Sequence, residues 1–137
     1  MRGLPQEPPL TKSDVYNKLI SIIGQLYVDI QLFNANFTEI TYDKIITQIG
    51  EILIITHARL SPESLESLNK ISNNIWNMRL IYLKYGLNDD YKSGGKDNEK
   101  IIHKLQISIS YCDPNTKSTE CPILEPIQEP IKKSYYY

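Results

Sequence analysis

An all-α four-helix bundle with extended, proline-containing N- and C-terminal arms is predicted by three observations. Apolar residues recur at helical spacing in three long segments and a shorter fourth, capping residues stand where those segments begin, and prolines gather at both ends of the chain. The expected organisation is an N-terminal arm over 1–12, a helical bundle over 13–111 and a proline-rich C-terminal arm over 112–137. A chain of 137 residues fits one domain, and a chain of that size buries roughly two thirds of its unfolded surface.

In the first twelve residues Pro5, Pro8 and Pro9 fix φ and remove amide donors, which predicts an extended arm. Ser13 is the expected cap of the first helix, with Asp14 near the positive helix end. Val15, Leu19, Ile22, Leu26, Ile30 and Phe33 then repeat at spacings of three and four, and Tyr16, Ile20, Ile23 and Tyr27 widen the face. Only a narrow polar stripe is left, through Lys18, Ser21, Gln25 and Asp29.

Asn34-Ala35-Asn36 reads as a break, after which Thr38 or Thr41 caps a second helix running to about His57. Its apolar positions are Ile45, Ile46, Ile49, Ile52, Leu53 and Ile55; the β-branched run at 51–56 also fits a strand, but the spacing of Ile45, Ile49 and Ile52 favours helix. Ser61-Pro62-Glu63 is the strongest local signal, a capping serine followed by proline at the first helical position and an acid in the first turn. Leu65, Leu68, Ile71, Ile75, Met78, Tyr82 and Tyr85 carry the third helix to Gly86, a residue type that commonly ends helices.

Residues 87–98 combine Gly94-Gly95 with five ionisable side chains and are expected to form a mobile surface loop. The fourth element, 99–111, fits a helix through Ile101, Ile102, Leu105 and Ile109, or a strand through Leu105, Ile107, Ile109 and Tyr111; helix is preferred because no second strong strand is available to pair with it. From Cys112 onward the repeat Pro122-Ile123-Leu124-Glu125, Pro126-Ile127-Gln128-Glu129, Pro130-Ile131 cannot be helical and predicts an extended arm.

Motifs of catalysis are missing from the sequence. Neither histidine has the glutamate three positions earlier that a di-metal bundle needs: Ile54 precedes His57 and Lys100 precedes His103. Glu99 and His103 lie one turn apart without a third ligand, so a solvated helical face accounts for them. His57 with Met78 could ligate a haem in principle, yet there is no Cys-x-x-Cys-His attachment sequence and a core methionine is far commoner. Ser93-Gly94-Gly95-Lys96-Asp97 lacks phosphate-loop spacing, and Asn88, Asp90 and Gly94 miss a calcium-loop register. No cofactor and no metal are expected. Cys112 and Cys121 are too far apart for a redox or zinc pair, leaving two free thiols or one disulfide closing a small loop.

With 15 Lys plus Arg against 16 Asp plus Glu, the net charge of -1 carries no phosphate-binding excess, which disfavours nucleic-acid binding as the main activity and leaves it as an alternative. Lys92, Lys96, Lys100 and Lys104 recur every four residues as a basic ridge offset by Asp97 and Glu99. The longest aliphatic run, Ile52 to Ile55, is far short of the roughly 20 residues of a membrane span. Residues 1–30 lack the order of a signal peptide, so a soluble cytoplasmic protein is expected and the sequon Asn36-Phe37-Thr38 is read as coincidence. Ten tyrosines with abundant Ile and Asn reflect an AT-rich coding sequence rather than chemistry.

The candidate partner-binding residues lie in the arms. Arg2, Pro5 and Pro8 match the Arg-x-x-Pro-x-x-Pro order of a polyproline ligand. Pro122, Pro126 and Pro130 punctuate the C-terminal arm, and Tyr135, Tyr136 and Tyr137 after Lys132-Lys133 form an adhesive aromatic end. A compact bundle with a nearly all-round apolar first helix and two proline-punctuated arms resembles the small four-helix-bundle virion and host-factor-binding proteins of thermophilic archaeal viruses. The resemblance covers the bundle region, rests on architecture and residue bias, and transfers no residue roles. It implies particle assembly or sequestration of a host machine, in the host cytoplasm or the virion.

The expected function is therefore non-enzymatic: a structural or assembly subunit, expected to be a homo-oligomer, whose arms lie across neighbouring copies. The alternative is a small inhibitor or adaptor that engages a host complex through the bundle surface and the acidic stretch Asn88–Asp90.

Overall fold

The computed structural model describes residues 11–57, 59–86, 95–115 and 121–124. They form four helices, α1 (Lys12–Ala35), α2 (Glu39–Ile55), α3 (Pro62–Tyr85) and α4 (Gly95–Ser110).

The caps explain the boundaries. Thr11, not Ser13, caps α1: its hydroxyl accepts from the Asp14 amide at 3.1 Å while the Asp14 carboxylate accepts from the Thr11 amide at 3.1 Å. This reciprocal box satisfies two orphan donors, an arrangement a Ser13 cap would forgo because no acid lies three residues beyond it. Thr38 caps α2 through the Thr41 amide at 3.1 Å, which resolves the choice between the two threonines. Ser61 caps α3 with Pro62 at its first position, and Gly86 ends it at φ 74, in the left-handed region.

The strand alternatives at 51–56 and 99–111 both give way to helix. The fourth helix also begins earlier than expected: Gly95 to Asn98, assigned to a surface loop, form its first turn, with Gly95 and Asn98 buried. Residues 87–94 lie outside the described residues, and so does the stretch Asn88–Asp90.

Cross-helix contacts fix the topology. Phe33 packs on Tyr42, Asn34 reaches Gly95 and Glu99, Asn74 reaches Asn98, and Arg79 reaches Glu39, so every sequential pair runs antiparallel and α4 returns beside α1. The result is an up-down-up-down bundle in which α1 packs closely on α2 and α4, whereas α2 and α3 meet least. Leu26, Ile30, Phe33, Ile45, Ile71, Ile75 and Ile102 are completely buried at its centre.

Asp29, read from the sequence as part of the outward polar stripe, is only 2% exposed. Its two carboxylate oxygens accept from Gln25 Nε2 at 3.2 Å and Gln48 Nε2 at 2.8 Å, which joins α1 to α2. Asn34 Nδ2 donates to the Gly95 carbonyl at 2.9 Å and to Glu99 at 3.0 Å, joining α1 to α4. Asn98 accepts from Asn74 at 2.9 Å and turns its own amide toward the Met78 sulfur at 3.7 Å, joining α3 to α4. Each of these three seams thus carries a buried or half-buried polar link that fixes register, because slipping a turn would orphan its members.

The base of the bundle is closed by the chain beyond α4. Cys112 and Cys121 form a disulfide, with Cα atoms 4.5 Å apart. It carries Ile123 into the core, where it is 1% exposed, and Leu124 pairs with Leu60 in an isolated antiparallel bridge. The Ser61 amide donates to the Ile123 carbonyl at 2.7 Å, and the Ser61 hydroxyl donates to the Pro122 carbonyl at 2.9 Å. The start of the C-terminal arm, expected to be free, is therefore part of the folded domain.

Candidate protein-binding face

The α3 sequence carries two stripes, one helical position apart. Ser64, Leu68, Ile71, Ile75 and Met78 point into the core. Offset from them, Trp76, Leu80 and Leu83 are spaced i, i+4, i+7 and therefore share one helix face, where they are 47, 44 and 56% exposed. Three large apolar side chains in a row are not scattered singly, as exposed hydrophobics on a soluble surface normally are.

The stripe borders the seam with α2. Arg79 lies on the α2 side of α3, donating through Nε to Glu39 Oε1 at 3.0 Å and Oε2 at 3.2 Å. Its guanidinium also covers two aromatic faces, 5.3 Å from the Tyr42 ring centre and 5.6 Å from that of Trp76. Burial is the main influence that pushes the Tyr42 hydroxyl above its ordinary range, with Arg79 opposing it and the Glu39 and Asp43 charges adding to it. Across the seam, Ile46 and the half-buried Leu53 lie two turns apart on α2, and Leu65 extends the apolar surface toward the base on α3. At the other end Phe37 stacks on Tyr82 with ring centres 4.2 Å apart.

Arg79–Glu39 is a partly exposed ion pair, and among the described residues α2–α3 shows no buried polar link like those of the other three seams. An exposed pair contributes on the order of 0–1 kcal/mol, and this seam is the most easily opened of the four. Val28 and Leu32 form a shorter exposed pair on α1.

A second surface feature lies between α1 and α2. Gln25, Asp29, Ile40, Asp43, Lys44, Thr47, Gln48 and Glu51 line an open depression of about 600 Å³. Asp29 at its floor already receives two amide hydrogen bonds, and Gln48 Oε1 is buried without a partner among the described residues. The depression is lined by carboxylates, amides, Lys44 and Thr47, and no histidine is among its lining residues.

The other residues singled out from the sequence do not converge. Glu99 accepts from Asn34, and His103 is exposed with its ring 6.3 Å from that of Tyr27. His57 sits exposed at φ 52 beyond α2, while Met78 is buried against Asn98 near the opposite end of α3. Among the described residues no group of three or more His, Cys, Asp or Glu side chains could hold a metal ion. Lys96, Lys100 and Lys104 are exposed along α4. Among the same residues no helix is long and apolar enough to cross a membrane.

Of the arm residues expected to bind a partner, Pro122 holds the base of its own bundle through its carbonyl, although its ring is exposed. Arg2, Pro5, Pro8, Pro126, Pro130, Tyr135, Tyr136 and Tyr137 lie outside the described residues. The sequence reading did not single out Trp76, Leu80 and Leu83, yet their own i, i+4, i+7 spacing beside the core stripe was the available signal. Comparison with known protein families, curated proteins and solved structures returns no match.

Proposed function

We propose that this protein acts by binding protein rather than by catalysis, as a structural or assembly subunit that self-associates through the α2–α3 face. One observation carries this reading: the exposed Trp76-Leu80-Leu83 stripe with Arg79 packed over Trp76. Trp and Arg are enriched among the residues that dominate binding energy, and an apolar centre beside a polar rim is the anatomy of an interface. The finer reading, assembly of a viral particle or action on a host machine in the host cytoplasm, follows from the architectural resemblance alone.

Light scattering of the full chain, of a chain ending at Leu124 and of the Trp76→Ser/Leu80→Ser variant of each tests it. Ending at Leu124 keeps the disulfide and Ile123, which a cut near Tyr111 would remove. At least one chain should form a defined oligomer that the double substitution disperses. Monomeric masses for all four at high concentration would defeat self-assembly and leave the same face to a different protein, the adaptor or inhibitor reading.

A further inference from the structure

We propose that the Cys112–Cys121 disulfide is a redox latch: a dithiol reductant that opens it releases residues 121–124 from the base of the bundle and uncovers the link between α2 and α3, while the four helices stay packed. This control acts at the end of the bundle opposite Leu83 and does not depend on the reading of the α2–α3 face.

The attachments of the segment converge on two residues of that link. Ile123 is buried in the core and its carbonyl accepts from the Ser61 amide at 2.7 Å. The Pro122 carbonyl accepts from the Ser61 hydroxyl at 2.9 Å, and Leu124 is bridged to the buried Leu60. Ordering four residues costs about as much as burying one isoleucine with two hydrogen bonds returns, so the disulfide decides the balance. Its cysteines are nine residues apart. Opening a loop of that length gives back to the released chain the conformations the bridge withholds, which lowers the ratio of docked to released segment on the order of 100-fold. The links of Asp29 to Gln48, Asn34 to Glu99 and Asn74 to Asn98 involve none of these residues, so release leaves the helix packing in place.

The chemistry is open to a reductant and its products are accommodated. Cys112 and Cys121 are both half-buried rather than enclosed. One thiolate of the dithiol attacks a bridge sulfur and forms a mixed disulfide as the other cysteine leaves. The second thiolate then displaces the remaining cysteine and closes the reductant's own disulfide. Two electrons pass from the dithiol to the cystine, and its two protons end on Cys112 and Cys121. Reduced Cys112 has an acceptor in place, since its Sγ lies 3.8 Å from the Ser108 carbonyl. Ser61 can go on capping α3 after release, because its hydroxyl is already 2.9 Å from Ser64 Oγ. What the release gives up is local: the Ser61 amide loses its acceptor and Leu60 loses its cover.

The Ser61 amide precedes the helix and donates to the Ile123 carbonyl, so its hydrogen exchange reports on the latch. The test follows that exchange in the full chain across dithiothreitol buffers of graded reduced-to-oxidised ratio, with free thiols counted by alkylation in the same samples. Protection of the Ser61 amide should fall roughly 100-fold, with the midpoint at which the two thiols appear, and should return on reoxidation. Helical circular dichroism should stay unchanged, and the core amides of Leu26 and Ile75 should stay protected. A Cys112→Ser/Cys121→Ser chain should show the low Ser61 protection with or without reductant. Equal Ser61 protection in the oxidised and reduced chains would overturn the proposal, since the segment would then stay docked by itself. Loss of helical circular dichroism on reduction would overturn it as well, because the disulfide would then hold the whole bundle rather than its base.

Discussion

Ile123→Ala tests whether the chain beyond α4 belongs to the domain. Ile123 is 1% exposed, and its segment is held by the Ser61 amide, the Ser61 hydroxyl and a disulfide. The substitution removes three buried carbons at ~0.8 kcal/mol each and leaves a cavity, for a loss of about 2–4 kcal/mol. The loss is capped by the free energy of docking 121–124, because a segment that has undocked loses nothing further. The disulfide raises that cap: by closing its short loop it stabilises the native arrangement by roughly 2.5–3 kcal/mol relative to the reduced chain. Urea unfolding followed by circular dichroism should therefore show the full loss in the oxidised protein, with a melting point lower by roughly 10 °C. The loss should shrink after reduction. A change below about 0.5 kcal/mol in the oxidised protein, the range of ordinary surface substitutions, would refute the placement of Ile123 in the core.

Four further outcomes are expected. Gly95→Ala puts a Cβ within 2.5 Å of Asn34 Oδ1 and 2.6 Å of its Cγ, so the Asn34 link to α4 must shift; a destabilisation of about 1–3 kcal/mol is expected, and a chain as stable as the parent in urea would contradict the close approach. Asp29→Ala strips the acceptor from Gln25 and Gln48 and is expected to cost about 1–3 kcal/mol, whereas an exposed Asp29 would leave stability unchanged. Hydrogen bonds from Thr11 hold the Asp14 carboxyl below the usual carboxylate range; with the folded value depressed, the cap stabilises α1 above the unfolded carboxylate range and this is lost as pH falls through the folded value. Carboxyl NMR should show Asp14 titrating below the ordinary carboxylate range in the parent and returning only part of the way in Thr11→Val, which removes the hydroxyl but keeps the Thr11 backbone amide that contributes most; an ordinary Asp14 titration in the parent would contradict the capping box. Arg79→Ala removes the pair with Glu39 together with the guanidinium's contacts to the Tyr42 and Trp76 rings and should cost about 1–2 kcal/mol, of which only the ion-pair part weakens at high salt; a loss indistinguishable from zero would contradict these contacts.

Fold class was legible because it depends on periodicity. The Leu19 to Phe33 and Leu68 to Met78 patterns place apolar groups on one helix face whatever the neighbours are. Ser61-Pro62 and Gly86 fixed both ends of α3 for the same reason, since caps are local chemistry. What was not legible depended on tertiary partners. Asp29 belongs to the outward stripe until Gln48 of another helix supplies a donor for it. Gly95 and Asn98 read as loop until Asn34 and Asn74 are brought against them. Ile123 sits in a proline-punctuated run that cannot be helical, and only the disulfide and the Leu60 bridge show where it goes. The exposed apolar stripe was hidden differently: Trp76, Leu80 and Leu83 interleave with core positions on a helix already assigned, so one stripe masked the other.

The distribution of polar links connects stability with the proposed activity. Three seams are each fixed by side chains that cannot separate without orphaning a buried amide or carboxylate, at about 1–3 kcal/mol per group. Among the described residues the fourth has a partly exposed ion pair, with Arg79 25% and Glu39 48% exposed. A disturbance at the surface, such as a competing aromatic or apolar segment, therefore meets least resistance between α2 and α3, where it also finds the exposed Trp76-Leu80-Leu83 stripe. The closed base sets the direction of access: the α2–α3 link is held by Ile123 and the disulfide, so opening would proceed from the Glu39 and Leu83 end toward the base. Protection of backbone amides against hydrogen exchange should accordingly decrease along α3 from Leu68 toward Leu83, a gradient that a uniformly cohesive bundle would lack.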